Sequence, residues 1–129
     1  MADAPPTMRA LVCDDDPLTR QVVSDLLTDN GFDVLAELET APPVIELARS
    51  IQPEVVVLDV SLMGMTGIEA IPAVREAAPD CSIIVFSAFD SVRSEALAAG
   101  AAAVVDKTQP DELQRVLAEI VRERNASRQ

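Results

Sequence analysis

Residues 54–67 read EVVVLDVSLMGMTG, and the fold turns on how that stretch is interpreted. Val55, Val56, Val57 and Leu58 form an apolar run that is too short for a helix and rich in β-branched side chains. Such a run fits a strand buried on both faces, as in the interior of a parallel sheet. It stops at Asp59, a carboxylate at the strand's carboxyl end, and gives way to a loop containing glycine and threonine. A helix follows, which Thr66 can cap with Glu69 as the capping-box partner. In open α/β sheets, ligands and chemistry collect just beyond the carboxyl ends of the strands, where Asp59 lies. Aspartate is also common in surface loops at strand ends, so its meaning depends on what the rest of the chain brings to it.

Toward the amino end, residues 9–13 (RALVC) read as a first strand that ends in Asp14, Asp15 and Asp16. Asp16-Pro17 is a cap followed by a proline at the first helical position, opening a helix that runs to about Asn30. Leu18, Val22, Val23, Leu26 and Leu27 are its expected inward face, and Asn30-Gly31 closes it. Residues 33–38 alternate in polarity and predict an edge strand. Thr40 is the expected cap of a second helix opened by Pro42 and Pro43, with Val44, Leu47, Ala48 and Ile51 inward.

Beyond the central strand, a third helix buries Ile68, Ile71 and Val74 and carries Pro72 within its first turns, where proline is tolerated. Residues 82–86 (SIIVF) form another all-apolar strand that ends at Ser87. A fourth helix, from about Ser91 to Ala99, stops at Gly100. Residues 102–105 make a short fifth strand ending at Asp106 and Lys107. Thr108 and Asp111 read as a capping box for a last helix bearing Leu113, Val116, Leu117, Ile120 and Val121. Strict alternation of five strands and five helices predicts a doubly wound (βα)5 α/β sandwich on a parallel sheet with right-handed crossovers. Strand two as an edge gives the order 2-1-3-4-5, the flavodoxin-like arrangement, with its switch point between strands one and three.

Composition narrows the chemistry. At 129 residues the chain is one domain, and a 49% hydrophobic content with three Phe and no Trp or Tyr means a core of Val, Ile, Leu and Ala. No run approaches the ~20 apolar residues of a membrane span, and the amino terminus lacks a basic-then-apolar signal. Cys13 and Cys81 have no metal spacing, and Cys13 lies in an apolar strand as a small core residue, which fits a reducing, cytoplasmic location. A net charge of −12 predicts neither a nucleic-acid nor a membrane partner. The chain contains no histidine, which excludes Ser-His and Cys-His hydrolases and histidine metal ligation. Arg115, Arg122, Arg124 and Arg128 are expected to complement the last helix dipole and make solvated pairs. Residues 1–7 read as a flexible lead-in, 8–124 as the domain and 125–129 as a polar tail. Either a stand-alone domain or one cut from an effector fits that ending.

The predicted strand order brings Asp14 and Asp15 beside Asp59. Two unit charges about 4 Å apart repel by ~1 kcal/mol in water and ~4 kcal/mol at a surface-like dielectric, so the cluster must protonate or recruit a cation. A hard, oxygen-loving ion such as Mg²⁺ suits it. Asp16 is better read as the helix cap alone. Ser87 and Lys107 end adjacent strands at the same rim. A hydroxyl, an ammonium and a divalent cation together can neutralise three phosphoryl oxygens, leaving Asp59 as the in-line nucleophile that forms an acyl phosphate.

CDDDP after strand one, VVVLDVSLMGMTG around strand three, FSA after strand four and VVDK after strand five together resemble a response-regulator receiver domain. The resemblance spans nearly the whole chain. It implies phosphotransfer to Asp59 from the phosphohistidine of a sensor histidine kinase or a phosphotransfer protein. It also implies Mg²⁺ held by Asp15, Asp59 and the backbone carbonyl of Ser61, with Asp14 acting partly through water. Lys107 would contact the phosphoryl group. Ser87 would swing inward to hydrogen-bond it, remodelling the fourth helix, fifth strand and fifth helix as a face for a downstream protein partner. Three positions depart from the family pattern: Met63 replaces a usual proline, Val104 replaces an aromatic switch, and Thr108 replaces a proline after the lysine. Phe89 is either a core residue or a shield over the acyl phosphate.

Three rivals make different demands. A flavin module needs an anion-accepting Gly/Ser/Thr loop after strand one, where this chain has three aspartates. An aspartyl-nucleophile phosphatase needs a general-acid aspartate two residues after the nucleophile, where this chain has Ser61. A degenerate receiver that signals by binding alone sits poorly with the intact set of Asp14, Asp15, Asp59, Ser87 and Lys107, although Val104 and Met63 leave it open.

Overall fold

The computed structural model describes residues 8–60, 67–88 and 92–127. Strands and helices alternate as β1 (Met8–Cys13), α1 (Pro17–Asp29), β2 (Phe32–Leu38), α2 (Ala41–Ile51), β3 (Val55–Leu58), α3 (Gly67–Ala77), β4 (Ser82–Ser87), α4 (Arg93–Ala99), β5 (Ala103–Asp106) and α5 (Pro110–Ser127). The strands are parallel in the order β2-β1-β3-β4-β5, as the burial pattern of the sequence predicts. Every residue of β3 is buried because β1 and β4 flank it and helices cover both faces. β2, at the edge, alternates buried and exposed positions.

Successive strand residues point to opposite faces, so each strand feeds two cores. Leu11, Val56, Leu58, Ile83 and Val85 pack with Val44 and Ala48 of α2 and Ile71 and Val74 of α3. Ala10, Val12, Val55, Val57, Ile84 and Phe86 pack with Val23 and Leu27 of α1 and Leu113 and Leu117 of α5. This two-sided burial holds the carboxyl ends of β1, β3, β4 and β5 at one rim.

Several local expectations change. On α1, Val23 and Leu27 are buried, but Leu18 is 77% and Val22 44% exposed. At about 100° per residue, position 22 is turned a quarter of the way round the helix from position 23. Thr40 occupies the N-cap of α2 yet makes no side-chain capping bond. The cap would accept from the second and third helical amides, and those residues are Pro42 and Pro43, which have none. Pro72 lies inside α3, at its sixth residue. The Thr108–Asp111 capping box gives way to a tighter turn, in which Asp106 accepts from both the amide and the hydroxyl of Thr108, each at 2.8 Å. α5 continues through Ser127, so residues 125–127 are helical.

Arg124 is not a solvated arginine. Its guanidinium donates to the carbonyls of Glu54 at 3.0 Å and Asp80 at 2.6 Å, tying α5 to the amino-terminal edge of the sheet. Arg9 does similar work there, donating to the carbonyls of Ile51 and Gln52. Cys13 and Cys81 are both buried free thiols. Among the described residues, no helix is long and apolar enough to cross a membrane. Thr66 with its cap on Glu69, and the residues Ser61, Met63, Phe89 and Ser91, lie outside the described residues, as do 1–7.

Candidate functional site

The rim is assembled by strand register. Cys13 pairs with Leu58, so the chain leaves β1 and β3 side by side with Asp14 and Asp59 as the next residues. The Asp59 amide donates to the Cys13 carbonyl and the Asp14 amide to the Leu38 carbonyl, both at 2.9 Å, which extends the ladder one residue past each strand. On the other side, Ser87 pairs with Asp106, and the Lys107 amide donates to the Ser87 carbonyl at 2.9 Å. The turn closed on Asp106 follows at once and sets the direction in which Lys107 leaves the sheet. Those two bonds from Thr108 hold the Asp106 carboxyl below its ordinary pKa.

Lys107 reaches back across the rim. Its Nζ lies 2.8 Å from Asp14 Oδ2 and 3.2 Å from Asp59 Oδ2. Both carboxylates are buried, at 3% and 4% exposure, and Ser87 is buried beside them at 2%. Asp15 is exposed, yet Asp14, Asp15 and Asp59 each offer a carboxylate oxygen within 4.8 Å of the others. Asp16 caps α1 as expected, accepting from the Thr19 hydroxyl at 2.7 Å and the Leu18 amide at 3.3 Å.

The electrostatics show an excess of negative charge. Burial raises the pKa of Asp14, and the hydrogen bonds from Lys107 and the Asp16 amide only partly offset it. Burial pulls Lys107 down, but its bond to Asp14 and the fields of Asp59 and Asp14 outweigh that, and its pKa ends above the ordinary value. The two directions agree: the ammonium has more than one carboxylate, whereas Asp14 has only a share of one ammonium. Carboxylates offer about four lone-pair sites each, so Lys107 and a further cation can share them. Mg²⁺ takes oxygen ligands at 2.0–2.1 Å in an octahedron, which sets neighbouring ligand oxygens ~3 Å apart and opposite ones ~4 Å apart. The three carboxylate oxygens, within 4.8 Å of one another, lie close enough to converge on such an ion. The remaining expected ligand, the carbonyl of Ser61, lies outside the described residues.

This clustering is matched by family-level similarity: the response regulator receiver domain model matches residues 10–118. The chain belongs to that family. The chemotaxis protein CheY of Bacillus subtilis is 32% identical over 111 residues, covering 84% of this chain and 91% of its own. Among solved structures, the receiver domain of the Geobacillus stearothermophilus response regulator AraT covers 96% of this chain and all of its own, with TM-score 0.85 and 23% identity. The signal receiver domain of the response regulator NarL from Mycobacterium tuberculosis superposes with TM-score 0.76 at 29% identity, covering 92% of this chain and 96% of its own. The first of these structures speaks for the fold alone. This is therefore a signalling domain of two-component systems, and its fold brings together Asp14, Asp15, Asp59 and Lys107 with Ser87 at the same rim.

One residue of this receiver domain escapes a reading of the sequence. Arg20, a turn into α1, donates from Nη1 to the Asp14 carbonyl at 2.7 Å. Its position six residues after Asp14, on the sheet-facing side of a helix, is the available signal. Charge alone does not separate it from a solvated arginine.

Proposed function

We propose that the domain accepts a phosphoryl group on Asp59 from the phosphohistidine of a sensor histidine kinase or phosphotransfer protein. The observation that carries this reading is the position of Lys107 Nζ, 3.2 Å from Asp59 and 2.8 Å from Asp14. A carboxylate oxygen of Asp59 attacks phosphorus in line, the P–N bond breaks, and histidine leaves as an acyl phosphate forms. Asp14, Asp15, Asp59 and the Ser61 carbonyl are the residues to hold Mg²⁺, which when bound supplies charge neutralisation to the transferring group. Lys107 exchanges a carboxylate partner for a phosphoryl oxygen, and the Ser87 hydroxyl donates to another. The domain's own chemistry is then limited to this self-phosphotransfer and to hydrolysis of the acyl phosphate.

Output follows from what Ser87 pulls with it. Its carbonyl holds the Lys107 amide, so movement at β4 passes to the β5–α5 turn. The face formed by α4, β5 and α5 is the proposed surface for a downstream protein. Val104, buried at 5% exposure, is aliphatic, so switching runs through Ser87 and the backbone without an aromatic flip. The cytoplasm, where such kinases present their phosphohistidine, is the proposed compartment. Incubation with acetyl phosphate and Mg²⁺ tests the reading by intact-mass spectrometry. One stable added phosphoryl group, absent from Asp59→Asn and absent after chelation, is the expected result. Steady release of phosphate without accumulation indicates a phosphatase instead.

A further inference from the structure

Asp14 is anchored at both of its peptide groups. Its amide donates to the Leu38 carbonyl at 2.9 Å, at the end of β2. Its carbonyl accepts from Arg20 Nη1 at 2.7 Å. The peptide plane that carries the Asp14 carbonyl also carries the Asp15 amide, so this one bond orients the chain on both sides of the acidic pair. The guanidinium is largely buried: its side chain is 15% exposed, and it faces Glu37 at 3.9 Å and Glu39 at 3.6 Å across the end of β2.

We propose that Arg20 is a positioning residue for the cation site, fixing the Asp14–Asp15 peptide so that both carboxylates are preset for Mg²⁺. The inference rests on the reading of Asp14, Asp15 and Asp59 as the metal cage. Two observations separate it from a surface ion pair. Glu37 and Glu39 are 43% and 71% exposed and stand beyond hydrogen-bond distance, so they contribute little alone. The short bond goes instead to a main-chain carbonyl between two expected ligands, where a planar fork can span carbonyl and carboxylates at once and an ammonium cannot. Groups behind metal ligands typically hold tenfold or more of a site's affinity.

Position and field predict opposite signs. A guanidinium near a divalent ion repels it, so a purely electrostatic role makes Arg20→Gln bind Mg²⁺ more tightly and leaves Arg20→Lys unchanged. A positioning role weakens both. The test is a Mg²⁺ titration of the full chain and the two variants, followed through the backbone amide resonances of Asp14, Asp15 and Asp59. The rest of each spectrum reports that the variant is folded. The expected result is a dissociation constant raised about tenfold in Arg20→Gln and at least threefold in Arg20→Lys. Arg20→Lys keeps the charge and alkyl stem and decides the matter if the glutamine variant unfolds. Unchanged binding in Arg20→Lys, or tighter binding in Arg20→Gln, overturns the inference. Failure of the unsubstituted chain to bind Mg²⁺ at these residues overturns the reading of the site beneath it.

Discussion

Replacing Lys107 by Met keeps the alkyl stem and removes the only ammonium seen between Asp14 and Asp59 among the described residues. At an effective dielectric of about 20, contacts of 2.8 and 3.2 Å correspond to gross attractions of ~6 and ~5 kcal/mol. Most of that offsets the cost of burying three charges, and breaking a buried pair by removing one partner typically costs ~3–5 kcal/mol. Lys107 is 21% exposed, which places the expected loss near ~3 kcal/mol. With an unfolding entropy of about 2.1 cal/mol/K per residue, that lowers Tm by roughly 11 °C.

The pH dependence carries the sign. The Lys107 pKa is raised above its ordinary 10.5, so its contribution is fully present below that value and is lost as pH rises through the folded pKa. Asp14 is raised above 3.8, so on acidification it protonates early and the lysine loses one of its two carboxylate partners. The gap between wild type and Lys107→Met is therefore largest at neutral pH and narrows on acidification as Asp14 protonates. Added Mg²⁺ narrows it at neutral pH by supplying the missing positive charge. Thermal unfolding by circular dichroism across pH, with and without Mg²⁺, measures all three. A variant as stable as wild type at pH 7 without Mg²⁺, or a gap that does not change with pH, refutes the shared-cation account.

Other outcomes follow from the same coordinates. Burial pushes the Cys13 and Cys81 thiols from an ordinary 9.0 up to about 12, with the carboxylates of Asp14 and Asp59 adding to the effect at Cys13. At pH 8 their thiolate fractions are then about a thousandfold below those of free cysteine, so neither thiol titrates with Ellman's reagent within minutes in the native chain. Both do so in guanidinium, and reaction at equal rates in the two states contradicts the burial argument. Arg124→Ala removes the bonds to the Glu54 and Asp80 carbonyls and costs about 2 kcal/mol, near 7 °C in Tm. The Mg²⁺ titration of that variant is unchanged, because α5 is loosened at the opposite end of the sheet from Asp59.

The strand order was legible because β-branched runs such as Val55–Leu58 can only be buried on both faces, while the alternation in β2 marks an edge. Asp14, Asp15, Asp59 and Lys107 could be brought together from sequence because each directly follows its strand or lies within two residues of it, and parallel register does the rest. Side chains whose roles depend on tertiary neighbours were harder to read. Leu18 and Val22 match an apolar stripe by type, but the helix turns a different edge toward the sheet. The Thr108 amide had two nearby carboxylates to choose from, Asp106 and Asp111, and the nearer turn on Asp106 takes it. Arg20 and Arg124 look like ordinary surface cations until the carbonyls they reach are placed in space. Among the expected site residues, Ser61 falls outside the described ones, as does Phe89, the candidate shield.

The central claim is that one particular carboxylate is the nucleophile. Borohydride reduces an acyl phosphate on aspartate to homoserine, leaving a permanent mark at the modified position. After treatment with acetyl phosphate and Mg²⁺, reduction and peptide mapping should find homoserine at position 59 and nowhere else. Homoserine at position 14 or 15, or unmodified aspartate throughout, contradicts the account.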